Sequence, residues 1–175
     1  LITAFIPAPE KMNFYLYGNN GGPAAISPDG KRLAFVATDS TGKGHIFIRS
    51  LGATAAQRLA GTEGAFSLFW SPDNQFLGFT AHGKLKKIDA SGGAPIAICD
   101  AELMRGGTWN ADGTIIFSPG AGSPLFTVSA SGGTVTRLTR FDSLQKENSH
   151  RWPWFLPDGR HFLYLARTVT AGRQG

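Results

Sequence analysis

The chain has 175 residues, 23 Gly, 10 Pro, 13 Phe and four Trp, and 17 Lys and Arg against 12 Asp and Glu for a net charge of +5. That mix suits short strands and tight turns, and no run of about 18 apolar residues exists to cross a bilayer, so no membrane insertion is expected. The single cysteine, Cys99, excludes an internal disulfide and reads as a small core residue.

Residues 1–23 hold two strand-like pieces, Ile2–Ile6 and Asn13–Tyr17, separated by Pro7-Ala8-Pro9-Glu10 and closed by the breaker run Asn19-Asn20-Gly21-Gly22-Pro23. Leu1–Ile6 is too short and lacks a basic flank, so no signal peptide is expected. From residue 24 one unit recurs. Ser27-Pro28-Asp29-Gly30, followed by Leu33 and Phe35, returns as Ser71-Pro72-Asp73-Asn74 with Leu77 and Phe79. It returns again as Asn110-Ala111-Asp112-Gly113 with Ile115 and Phe117, and as Leu156-Pro157-Asp158-Gly159 with Phe162 and Tyr164. The aspartates are 44, 39 and 46 residues apart, so each copy is one supersecondary unit that needs its neighbours to bury its apolar face.

Proline presets φ in three of the copies, with Ala111 in its place in the third; aspartate is suited to bond nearby amides, and Gly30, Asn74, Gly113 or Gly159 takes a position of positive φ. Such a turn joins two antiparallel strands. The third copy reaches its apolar pair one residue sooner, which predicts a small register shift.

The first repeat (24–61) reads as strands Ala24–Ile26, Arg32–Ala37, His45–Arg49 and Gln57–Ala60. The second (65–100) reads as Phe66–Trp70, Phe76–Thr80, Lys84–Ile88 and Ile96–Cys99, and the third (106–139) as Gly107–Trp109, Thr114–Ser118, Leu125–Val128 and Val135–Thr139. Ala90-Ser91-Gly92-Gly93 and Ala130-Ser131-Gly132-Gly133 lie 40 residues apart and set the same period independently. After the long connection Arg140–His150 comes half a unit (150–167), with strands Trp152–Phe155 and His161–Arg167. The fold class is therefore all-β: a β-propeller of four-stranded antiparallel blades, about three and a half to four of them, with the propeller repeats in 24–175, a partial ring or a fragment.

Pro-Asp-Gly hairpins followed by Leu33-Ala34-Phe35, with Ser-Gly-Gly turns at this spacing, resemble the repeats of TolB-like propellers. Similar repeats occur in propellers attached to bacterial serine/threonine kinases and to prolyl-oligopeptidase-type peptidases. The resemblance covers 22–167, and the run from Arg137-Leu138-Thr139 through His150-Arg151-Trp152 to Pro157-Asp158-Gly159 is most similar to the kinase-attached group. It implies a non-catalytic propeller that binds a protein or peptide, or the regulatory propeller of a larger enzyme, and a periplasmic or other extracytoplasmic location.

The residues themselves carry no Gly-x-Ser-x-Gly elbow, phosphate loop or catalytic His-Arg-Asp run. His45, His82, His150 and His161 lack metal-ligand spacing, so no catalytic residue, metal or cofactor is expected. Small-ligand or cation binding in a central channel is the remaining alternative. Lys84, Lys86 and Lys87 read as a solvated edge strand, and no nucleic acid is expected. Trp70, Trp109, Trp152 and Trp154 read as packing between blades. Loops on a rigid scaffold carry function. The loops 61–65, 100–106 and 140–150 are accordingly expected to share a face with 39–44, 81–83 and 120–123, with Arg105, Arg140, His150 and Arg151 as contact residues. The strand count leaves 1–23 to complete a blade. Ile2–Ile6 or Asn13–Tyr17 is expected to pair with the half-blade ending at Arg167, by exchange in a homodimer or within the chain, with exchange or an open arc favoured over a tight four-blade ring.

Overall fold

The computed structural model describes residues 6–15 and 24–168. The first blade contains β1 (Asn13–Phe14), β2 (Ala24–Ile26), β3 (Arg32–Thr38), β4 (Gly44–Ser50) and β5 (Gln57–Arg58). The second is β6 (Ser67–Trp70), β7 (Phe76–Ala81), β8 (Lys84–Asp89) and β9 (Ile96–Asp100). The third is β10 (Gly107–Trp109), β11 (Thr114–Phe117), β12 (Phe126–Ser129) and β13 (Thr136–Arg137). The fourth is the pair β14 (Glu147–Phe155) and β15 (Phe162–Thr168). Every strand pairing is antiparallel, and the two complete four-stranded sheets run β6-β7-β8-β9 and β10-β11-β12-β13. This is a partial β-propeller.

The hairpins form for the reason their sequence suggests. Asp29 Oδ1 accepts from the Ser27 hydroxyl at 2.6 Å and the Lys31 amide at 3.0 Å, while the Ser27 hydroxyl oxygen accepts from the Arg32 amide. Asp73 and Ser71 repeat this set around Gln75 and Phe76. Gly30, Asn74, Gly113 and Gly159 have φ of 72°, 64°, 79° and 67°, the left-handed values the turn requires. In the third copy Asn110 N donates to Thr114 O, four residues on. In the others the partner is five residues on, from Ser27 to Arg32, Ser71 to Phe76 and Leu156 to His161. The shortened third hairpin is the expected register shift. Asn110 also replaces the serine: its Oδ1 accepts from the Thr114 amide, and its Nδ2 donates to Gly159 O in the next blade at 2.9 Å.

Alternation along the strands divides each blade into two apolar faces. Leu77, Phe79 and Ala81 of β7 turn toward Ala34, Val36, Ile46 and Ile48 of the first blade, and Trp70 joins them. Ile115 and Phe117 of β11 turn toward Phe69, Leu85, Ala101 and Met104. In the second and third units the residues that follow the turn thus face the preceding blade. Ahead of the first blade, Ile6, Met12 and Phe14 cover Phe35 and Phe47 instead. Ile26, equivalent to Trp70, is 61% exposed there.

Three expectations are corrected. Asn13–Phe14 pairs with Ala37–Thr38 of β3, not with β15, because β2 reaches only Phe35 and leaves that stretch of edge open; Phe14 then packs edge-on against Phe35 at 5.2 Å. Residues 2–5, 16 and 17 of the two strand-like pieces lie outside the described residues. The inner strand of the half-blade begins at Glu147, not Trp152, because Glu147, Ser149, His150 and Arg151 find partners in Thr168, Arg167, Ala166 and Leu165. Trp70 and Trp109 pack between blades, but Trp152 and Trp154 are 43% and 69% exposed.

The turn carboxylates make stability acid-sensitive. Asp29 is held below its ordinary range by the Ser27 hydroxyl and then the Lys31 amide, and Asp89 by Ser91 through its hydroxyl and amide. Asp39 is held far lower, chiefly by the Thr41 hydroxyl and His45. The imidazole and two amides that bond to Asp158 bring it from 3.8 to about 2. A depressed carboxylate contributes stability above its unfolded pKa and loses it as pH falls through the folded one. The urea midpoint should therefore be level from pH 7 to about 5 and fall between about 4 and 2. Asp158→Asn should be less stable than wild type at neutral pH and lose less on acidification; parallel curves for the two proteins would contradict this role.

Candidate binding face

The loops that join one blade to the next share a face with the loops between the second and third strands of each complete blade. Gly64 N donates to Gly44 O at 2.8 Å, Ala101 N to Gly83 O at 2.9 Å, Leu103 N to Pro119 O at 3.1 Å, Arg105 N to Ser118 O at 2.9 Å, and His150 N to Ser123 O at 3.0 Å. The Pro-Asp hairpins occupy the opposite ends of the strands and are tied to one another: Asn74 Oδ1 accepts from Asp29 N, and Arg32 donates to Asn74 O while its guanidinium lies 4.8 Å above the Trp70 ring.

Two shallow concavities open on the loop face. One, of about 290 Å³, is bounded by Tyr15, Lys43, Gly64 and Phe66; the other, of about 560 Å³, by Gly83, Asp100, Pro119 and Ala121. Glu102 and Leu103 line both, and Leu103 is 44% exposed. Sequence reasoning missed this pair, because nothing local marks two loop residues as the ridge between two hollows.

Among the four expected contact residues, Arg105, His150 and Arg151 come together, and Arg140 is exposed on the connection. Arg105 O accepts from Trp152 N at 2.8 Å, which sets the loop before β10 against β14. His150 is fully buried. Its Nε2 bonds Glu147 Oε2 at 3.0 Å, its Nδ1 bonds Thr139 Oγ1 at 2.7 Å, and its ring packs on Phe141 and Tyr164. It anchors the long connection and offers no surface of its own. Glu147, whose carboxylate accepts from the Asp142 amide and then from His150, is held below its ordinary pKa.

Arg151 is only 5% exposed. Its Nε donates to Ser149 Oγ at 2.8 Å and its Nη2 to Ala121 O at 3.0 Å. Burial, followed by the nearby charges of Arg105 and Arg167, lowers its pKa. No group of three or more His, Cys, Asp or Glu able to hold a metal ion occurs among the described residues. Burial, then the Asp100 carboxylate, pushes the half-buried Cys99 thiol up to about 11, which leaves it a poor nucleophile.

Comparison with protein-family models finds no match, and no curated protein matches either. Solved structures do match. TolB from Acinetobacter baumannii superimposes with a TM-score of 0.66 at 22% identity over 86% of this chain and 39% of its own. A putative TolB from Agrobacterium tumefaciens gives 0.64 at 19% identity, covering 82% of this chain and 52% of its own. The β-propeller domain of the Trilobed protease from Pyrococcus furiosus gives 0.56 at 14% identity, covering 91% of this chain and 56% of its own. The architecture is thus that of a β-propeller module. Its fold is TolB-like, and the chain spans about half or less of the length of the TolB structures it matches.

Proposed function

We propose that this propeller is a non-catalytic interaction module that holds a protein or peptide partner on its loop face. The observation that carries the reading is the pair of adjoining concavities divided by Glu102 and Leu103. Shallow hollows on either side of an exposed apolar ridge suit side chains of a partner better than they suit an enclosed small molecule, since small-molecule sites bury most of their ligand. The loops that build the ridge are pinned by backbone bonds from Ala101, Leu103 and Arg105, so the surface is preorganised and little ordering entropy is lost on binding.

A second reading is favoured by one comparison. The Pyrococcus furiosus neighbour is the propeller domain of a protease, and this chain in the same way suits the regulatory propeller of a larger enzyme, its loop face meeting a catalytic domain in place of a separate partner.

The test is affinity capture with wild type, Leu103→Arg on the loop face and Lys31→Glu on the hairpin face. A partner retained by wild type and Lys31→Glu but lost with Leu103→Arg is the expected result. Equal recovery with Leu103→Arg, or loss with Lys31→Glu alone, would overturn the assignment of the face.

A further inference from the structure

Arg151 combines deep burial with neutral company. A guanidinium removed from water normally meets a carboxylate, since the cost of desolvating the charge is otherwise unrecovered. Its two hydrogen bonds go to a hydroxyl and a backbone carbonyl. All twelve acidic residues of the chain fall within the described stretches, and Lys11, His45, Arg58, Lys84, His150 and His161 are among the groups that form ion pairs with them. None of these pairs is with Arg151 or Arg167.

The strands gather more positive charge at the same place. Arg151 lies opposite Leu165 and Ser149 opposite Arg167, so Arg167 is the diagonal neighbour of Arg151 on one face of the half-blade. Arg105 is brought to the next residue, Trp152, by the bond from Trp152 N to Arg105 O.

Backbone strain marks the spot independently. Trp152 and Pro153 together face the single residue Tyr164, a bulge between Arg151 and Trp154. Trp152 there has φ of 50°, left-handed values that a bulky side chain rarely adopts and that the following proline does not favour. Bulges of this kind re-aim side chains beside binding sites, and such strain persists where the surroundings impose it. Gly106 permits it: a Cβ on Gly106 would lie 2.8 Å from Trp152 Cα and 3.0 Å from its Cδ1. The result is a half-exposed indole beside Arg105, with the exposed Leu165 across from Arg151.

We propose that Arg105, Arg151 and Arg167 form a receptor for a carboxylate carried by an acidic peptide segment, with Trp152 and Leu165 contacting the apolar residue beside that carboxylate. This rests on the reading of the loop face as a protein-binding surface, which Arg151 adjoins through its bond to Ala121 of the second concavity. Planar guanidinium forks match carboxylate geometry in paired hydrogen bonds, and the indole and leucine select a peptide over a free inorganic anion.

The test is calorimetry on the whole chain with an acetylated, amidated Leu-Asp-Phe-Asp-Leu peptide, its Leu-Asn-Phe-Asn-Leu counterpart and inorganic phosphate. The Asp peptide is expected to bind roughly tenfold or more tightly than the Asn peptide, with affinity falling as salt rises. Arg167→Glu, at an exposed residue, should weaken Asp-peptide binding about tenfold or more without lowering Tm. Arg151→Met should abolish that binding while the fold survives, because an apolar side chain of similar volume tolerates burial there. Equal affinity for the Asp and Asn peptides, phosphate binding as tight as the Asp peptide, or an unchanged affinity in Arg167→Glu would each overturn the proposal. The two readings fail separately: if Leu103→Arg abolishes partner capture while Arg167→Glu leaves the peptide bound, the carboxylate receptor is wrong and the loop face stands. Partner capture that survives Leu103→Arg removes the loop-face reading itself.

Discussion

Phe79→Ala is expected to destabilise the chain by about 3–5 kcal/mol, the usual range for removing a fully buried aromatic side chain. Phe79 is fully buried in the cluster that joins the first and second blades, among Val36, Ile46, Leu68 and Trp70. The cost is a transfer term plus a cavity, and strands from two sheets hold that cavity open. Phe35 and Phe117 occupy the same place in their repeats and are as deeply buried. Tyr164 occupies it in the half-blade but is 41% exposed, so Tyr164→Ala should cost only about 1–2 kcal/mol. Urea denaturation of the two variants checks the contrast. Equal losses would mean that the repeat positions are energetically alike and that the half-blade is packed as firmly as the complete blades.

That contrast marks what the sequence can and cannot convey. The four hairpins were legible because aspartate and a residue tolerant of positive φ, joined by proline in all but the third copy, act within five positions of one another, so Asp29, Asp73 and Asp158 do their work locally. The shared loop face followed from counting strands between the hairpins. The fate of Trp70 and Trp154 was not legible: Trp70 stands three residues before its turn aspartate and faces the packed first blade, while Trp154 stands four before its own, on the opposite strand face, and the two are 7% and 69% exposed. Asn74 hid a different feature. It takes the turn position that glycine takes in the other copies, yet its side chain also accepts from Asp29 N in the preceding blade, a bond between residues 45 apart. Among the candidate site residues, Arg105 and Arg151 were singled out as charged residues on inter-blade loops, but the burial of Arg151 and the role of Arg167 depend on the pairing of β14 with β15 and on the bulge at Trp152. His150 carries the same lesson in reverse: a polar residue at the end of a long loop reads as a contact, and the structure places it wholly inside.

Gly107→Ala is expected to cost about 1–3 kcal/mol through overpacking, and Phe69→Ala about 3–5 kcal/mol, with the two effects strongly non-additive. Phe69 leaves the second blade on the side facing the third and joins the cluster of Leu85, Met104, Ile115 and Phe117. Its ring lies between two strands that carry no side chain at the contact. A Cβ on Gly78 would come within 2.3 Å of it, and one on Gly107 within 2.5 Å. The ring cannot retreat from a methyl group on Gly107, because Gly78 holds its other flank. Once Phe69 is alanine the obstruction is gone, so Gly107→Ala in that background should cost almost nothing, and a double-mutant cycle should return a coupling of about 1–3 kcal/mol. Additivity within about 0.5 kcal/mol would show that the ring does not set the spacing of these two blades. The consequence reaches the binding face, because Gly107 is two residues from Arg105 and pairs with Phe117 at the same end of β10. A shift of β10 away from Phe69 would carry Arg105 with it and separate its carbonyl from Trp152 N, the bond that brings the third blade to the strained bulge of the fourth.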